Sequence, residues 1–342
     1  MKKVRVEDAI GETLCHDMTG ILPGGKKGVV FARGHVVTAE DIPALLDIGK
    51  YHVFVEAGDS ASDVHEDDAA LIAADAVCGD GITYDTTPME GKIVFYAAAR
   101  GLFCVARESL REINSVGDYT IVCLPRFIDV AEGQKLGGIR IIPLTTAQST
   151  VDAMLTAAHS RGPVFRVLPY SPLKCGAIIT GSEVYHGRIE DKFEPIVREK
   201  VERYGGEFLG AVKCPDDLEV IAQAIADFES RGAELILLTG GMSVDPDDLT
   251  PTAIRQSGAE VITQGMPMQP GNMLMIAKKP GVTLIGVPGA SMHSPVTSLD
   301  VFLPRIFAGV DIGRAEIAGL GEGGFCSACE TCTYPRCYFG NG

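Results

Sequence analysis

Apolar positions in the second half of the chain alternate between two spacings. Short unbroken runs at 175–181, 208–212 and 234–238 read as strands buried on both faces. Between them, Phe193, Ile196, Val197, Val201 and Tyr204 recur at helical spacing and stop at Gly205-Gly206. Leu218, Ile221, Ala222, Ile225 and Phe228 do the same before Gly232. Strand, helix, strand in this order calls for parallel pairing through right-handed crossovers. Further on, 273–277 and 283–287 predict two strands around a Lys-Pro-Gly turn. A last helix carrying Val296, Leu299, Phe302, Leu303 and Ile306 closes the unit near Gly309, with Pro304 expected to bend or end it. Residues 171–312 therefore read as one doubly wound α/β domain.

The first 170 residues have a weaker pattern. Residues 4–14 and 31–55 predict short strands and a helix at 39–46, stopped by Gly49. Residues 59–68 are acidic and read as a linker or a helix start. A metal reading of His65-Glu66-Asp67-Asp68 is less simple than a solvated helix N-terminus with favourable carboxylates. Apolar runs at 92–97, 119–124, 139–143 and 164–168, separated by Gly, Pro and Asp, predict a β-rich module. Its role would be oligomerisation or covering a site, and a homo-oligomer is expected. The organisation predicted is a small α+β segment at 1–60, the β-rich module at 61–170, the α/β domain at 171–312 and a Cys-rich tail at 313–342.

Candidate chemistry gathers where the strands of the α/β domain end. The run 234–238 leads into Thr239-Gly240-Gly241-Met242-Ser243-Val244-Asp245-Pro246-Asp247-Asp248, in which glycines permit close backbone approach and carboxylates follow. Thr180-Gly181-Ser182-Glu183-Val184 follows the first run, and Cys214-Pro215-Asp216-Asp217 the second. With parallel strands, Glu183, Asp216 or Asp217, and Asp245 or Asp248 meet at the edge where open α/β sheets bind ligands.

The motifs TGSEV, PDD, LTGGMSVDPDD, PMQPGNM and GVPGASM, in this order, resemble those of the molybdopterin-binding domain of the molybdenum cofactor biosynthesis family. That domain is shared by molybdopterin adenylyltransferases and molybdopterin molybdenumtransferases. The resemblance covers 171–312 and implies a three-layer α/β/α fold beside a smaller β-rich N-terminal region. It further implies a pterin-dithiolene phosphate, as molybdopterin or its adenylylated form, held in the Gly-rich loops with Mg²⁺ or molybdate at the carboxylates. By position it carries a binding role to Thr180, Gly181, Ser182, Gly240, Gly241, Ser243, Pro270, Gly271, Pro288 and Gly289, and a catalytic one to Glu183, Asp217 and Asp248. The segment 31–49 also resembles one that precedes this domain in molybdenumtransferases. Three departures stand out. Asn272-Met273 replaces a Lys-Pro and Ala290-Ser291 an Asn-Pro usual in molybdenumtransferases, and Asp245 replaces a usual Gly. Losing a lysine weakens a site for the molybdate dianion. Arg188 is the nearest basic residue by sequence, although a solvated surface arginine explains it more simply.

Composition narrows the field. A formal charge of −15 argues against nucleic acid, which needs a basic face. No apolar stretch approaches the ~20 residues of a membrane span, and Met1-Lys2-Lys3 leads into no apolar leader, so a cytoplasmic protein is expected. Of ten cysteines, four form Cys326-x2-Cys329-x2-Cys332-x4-Cys337, a spacing that points to an iron–sulfur cluster or Zn²⁺, with an unmetallated redox-sensitive segment as the alternative, in a tail expected to stand outside the α/β core. The function expected is molybdopterin binding with insertion of molybdate. The alternatives are a non-catalytic storage, sensing or delivery protein, and a nucleotide-phosphate hydrolase on the same domain, as in the competence-damage proteins that resemble it.

Overall fold

The computed structural model describes residues 1–21, 27–56, 63–243, 245–246 and 248–341. Asp247 and the first residues of the acidic stretch, 59–62, lie outside the described residues. The chain divides into two compact units. The first takes residues 1–98, 105–124 and 132–166, and the second 99–104, 125–131 and the remainder from 167.

In the first unit, Lys2–Arg5 pairs antiparallel with His52–Val55, and Val6, Leu14, Met18, Leu45 and Val55 fill a small core beside the helix Asp41–Asp47. A four-stranded antiparallel sheet runs in the order Ile82–Tyr84, Lys92–Ala97, Lys135–Ile141, Tyr119–Cys123. Helices Glu66–Val77, Arg107–Asn114 and Gln148–His159 accompany it. The acidic stretch does start a helix. His65 is the N-cap, its Nδ1 accepting the Asp67 N–H at 3.2 Å, and Ala69, Ala70, Ala73, Ala74 and Val77 form its buried stripe. The helices at 107–114 and 148–159 were not expected from the sequence.

Glu66 opens that helix and is only 9% exposed. Burial, with Asp67 adding repulsion, raises its carboxyl to about 7. The folded chain then holds a proton that the unfolded chain releases near the ordinary glutamate value. The stability contribution is therefore complete below that value and is lost as pH rises through about 7. Glu66→Gln is expected to stabilise the first unit by about 1–3 kcal/mol at pH 8 and by little at pH 4.5. Urea unfolding at the two pH values checks this. Equal midpoint shifts at both would exclude the titration.

The second unit is built on a six-stranded sheet. Its strands are β1 (Lys174–Thr180), β2 (Glu207–Cys214), β3 (Leu235–Thr239), β4 (Glu260–Gln264), β5 (Met275–Lys279) and β6 (Val282–Val287), in the order β2-β1-β3-β6-β5-β4. β2, β1, β3 and β6 are parallel, and β5 and β4 add antiparallel. All five residues of β3 are buried, because both sheet faces are covered. Leu235 and Leu237 face a core with Val197, Val201 and Phe302, from helices α2 (Phe193–Arg203) and α5 (Ser298–Phe307). Ile236 and Leu238 face a second core with Ile221, Ile225, Phe228 and Ile254, from α3 (Leu218–Ser230) and α4 (Thr250–Gln256). A single turn, α1 (Ser182–Tyr185), follows β1. The mixed α/β fold with a β-rich N-terminal region agrees with expectation. β4 and α4 are additions.

Pro304 does not end α5, which runs on to Phe307. Proline removes the N–H that would bond to the carbonyl of residue 300. The Tyr334 hydroxyl donates to that carbonyl instead, at 3.0 Å. Tyr334 belongs to the tail, which corrects the expectation that the tail stands outside the core: Ile317, Leu320 and Phe339 are buried in the same core as α5. Among the described residues no helix is long and apolar enough to cross a membrane.

Candidate functional site

A cavity of about 1100 Å³ lies past the carboxyl ends of β1 and β3. Its construction starts with glycine. Gly181 has φ +136°, and Gly240 and Gly241 have φ +87° and +51°, a region open to glycine and costly for other residues. At Gly240 a Cβ would stand 2.2 Å from the Thr180 carbonyl oxygen, so the loops after β1 and β3 approach backbone to backbone. Buried hydroxyls lock this approach. The Thr180 Oγ1 donates to the Thr239 carbonyl at 3.1 Å, and the Thr250 Oγ1 to the Gly240 carbonyl at 2.9 Å.

The loop after β2 is tied in reciprocally. The Ser182 N–H donates to the Asp216 carboxylate at 2.8 Å, and the Asp216 N–H reaches the Ser182 hydroxyl at 3.4 Å. Asp216 lines the cavity. Its neighbour Asp217 instead caps α3, accepting the N–H groups of Glu219 and Val220 at 2.9 and 3.1 Å. Asp245 and Asp248 close a turn in which the Asp248 carboxylate accepts the Asp245 N–H at 3.1 Å.

Of the residues singled out from sequence, Thr180, Gly181, Glu183, Gly240, Gly241, Ser243, Asp248 and Gly289 border the cavity. Ser182 acts through its bonds to Asp216, and Pro288 precedes the short 3-10 turn Gly289–Met292. Pro270 and Gly271 hold the start of α5: their carbonyls accept the Ser298 N–H at 3.2 Å and the Ser298 hydroxyl at 2.6 Å. Pro270 also borders a second cavity, of about 350 Å³, together with Cys326, Cys329, Cys332 and Cys337.

Sequence reasoning missed Lys192 and His293, which border the large cavity where Arg188 does not. Against them stand the carboxylates Glu183, Glu190, Asp191, Asp216, Asp245 and Asp248. The Asp191 carboxylate accepts the Phe193 N–H at 2.8 Å and has Lys213 at 3.9 Å. The cavity thus sets six carboxylates against Lys192 and His293 and is strongly acidic. Among the described residues no three His, Cys, Asp or Glu side chains are gathered closely enough to hold a metal ion.

Residues 176–308 match a family model described as "Probable molybdopterin binding domain", and residues 3–57 match one described as a domain of unknown function. The match makes residues 176–308 a probable molybdopterin-binding domain, the class of domain that the model describes. The molybdopterin molybdenumtransferase of Synechococcus elongatus is 29% identical over 219 residues, 58% of this chain and 51% of that protein. A CinA-like protein of Mycobacterium sp. (strain JLS) is 32% identical over 90 residues, 26% of this chain and 21% of that protein. The chain therefore spans about half the length of the first relative and about a fifth of the second. Among solved structures, the tungsten cofactor synthesizing protein MoaB of Pyrococcus furiosus is 19% identical, with 40% of this chain and 94% of that chain covered and a TM-score of 0.32.

Proposed function

We propose that the protein binds molybdopterin, or its adenylylated form, in the large cavity and acts in molybdenum cofactor biosynthesis by inserting molybdate. The observation that carries this reading is the meeting of Thr180, Gly181, Glu183, Asp216, residues 240–243, Asp245, Asp248 and Gly289 around one cavity in a domain of this class. The Gly240-Gly241 backbone offers amides suited to a phosphate. Six carboxylates repel a phosphate unless a cation intervenes. Hard oxygen donors fit Mg²⁺, which takes one or two carboxylates and completes its shell with phosphate and water, so it needs no trio of protein ligands. Glu183 and Asp248 would hold it, and Mg²⁺ would supply charge neutralisation at the phosphate. Lys192 and His293 are the cavity's own groups for an oxyanion.

A delivery or storage role is the second reading, favoured by the acidic wall and by Asn272-Met273 standing where molybdenumtransferases have Lys-Pro. Anaerobic titration with molybdopterin, with and without Mg²⁺, tests binding. The expected result is saturable binding strengthened by Mg²⁺. No saturable binding removes both readings. Asp248→Asn retains an acceptor for the Asp245 N–H and so the fold. It is expected to lower molybdate-dependent conversion on the order of 100-fold through loss of a metal ligand. Wild type that binds tightly and converts nothing decides for delivery.

A further inference from the structure

The segment 326–340 contains no helix or strand, yet it is held at several points. The Cys326 N–H donates to the Gln269 carbonyl at 2.8 Å, Tyr334 reaches α5, and the Gly340 N–H donates to the Gly323 carbonyl at 3.0 Å. The Asn341 side-chain amide donates to the Cys337 carbonyl at 2.8 Å. An irregular stretch of this length, fixed rather than loose, marks a functional loop. Ala328, between the first two cysteines, takes φ +53°, a left-handed conformation unusual for alanine. All four thiols are free, and all four border the cavity of about 350 Å³, with Pro270, Val296 and Phe339 as apolar wall.

The arrangement discriminates between metal centres. Four thiolates on one Zn²⁺ at about 2.3 Å would crowd to about 3.8 Å from one another. Among the described residues no three such side chains are gathered to that degree, and the four thiols border one space. Thiolates around a polyatomic core stand further apart, one on each corner iron, and the first three cysteines have the C-x2-C-x2-C spacing that suits such a core. We infer that the cysteine-lined cavity is the site of a 4Fe–4S cluster ligated by Cys326, Cys329, Cys332 and Cys337. Successive residues border the two cavities, His293 the large one and Ser294 the small one. This inference is independent of what the large cavity binds.

Anaerobic reconstitution of the full chain with ferrous iron and sulfide tests it. The expected product is brown, with broad visible absorption and about four irons and four sulfides per chain. Cys329 and Cys332 are exposed, so Cys329→Ala and Cys332→Ala open no core. Each is expected to lose the absorption and most of the iron with an unchanged far-UV circular dichroism spectrum. One zinc per chain without the absorption, iron binding indifferent to both substitutions, or a metal-free chain with paired cysteines would each overturn the inference.

Discussion

Gly240→Ala is expected to destabilise the second unit by about 3–5 kcal/mol and to abolish ligand binding in the large cavity. Two costs add. A φ of +87° disfavours any L side chain, and the new methyl would sit 2.2 Å from the Thr180 carbonyl oxygen and 2.8 Å from its Oγ1. Neither neighbour yields easily, since the Thr180 backbone pairs with Cys214 of β2 and its hydroxyl bridges to Thr239 and Thr250. Gly258 supplies the control. Its φ is +83°, but nothing lies within 4 Å of an added Cβ, so Gly258→Ala is expected to cost only about 1–2 kcal/mol. Urea unfolding followed by far-UV circular dichroism suits a chain without tryptophan. Equal losses in the two variants would mean that backbone conformation alone, and not the close approach of the two loops, makes position 240 a glycine.

Legibility in the sequence followed burial. β1 and β3 were readable because strands covered on both faces become unbroken apolar runs, and Cys175 to Thr180 and Leu235 to Thr239 are such runs. β4 was missed because it is the outer strand, where only Thr263 is fully buried. The helix at 148–159 buries Val151, Met154 and Ala158 at helical spacing, but amid Thr, Gln and Asp this is a thin stripe. Adjacent carboxylates defeated the pattern altogether. Asp216 and Asp217 are equivalent in sequence, and only the direction of α3 makes one a cavity wall and the other a cap. Lys192 was out of reach for a different reason. It sits at the entry to α2, and no motif marks it.

The tail's attachment was the least legible feature, because part of it is a buried charge reaching across more than thirty residues. Arg305 is 1% exposed, and burial lowers its guanidinium to about 10, leaving it charged at neutral pH. Its Nη1 donates to Glu316 at 2.8 Å, its Nη2 to the Gly340 carbonyl at 3.3 Å, and the group lies over the rings of Phe127 and Phe302 at 4.3 and 5.1 Å. Removing either partner has unequal consequences. Glu316→Ala leaves a buried cation without its counter-charge and is expected to cost about 3–4 kcal/mol. Arg305→Met keeps an apolar stem between the two rings and leaves behind a carboxylate that water can reach, so about 1–2 kcal/mol is expected. Local opening should follow the reverse order. Only Arg305→Met removes the donor to Gly340, and amide hydrogen exchange over 323–341 should accelerate more in it than in Glu316→Ala. Chemical unfolding and exchange measured on the same two proteins check both orders. If Arg305→Met proves the costlier in unfolding while the tail stays protected, the arginine is a core packing element and the tail is held by Tyr334 and the buried Phe339 instead.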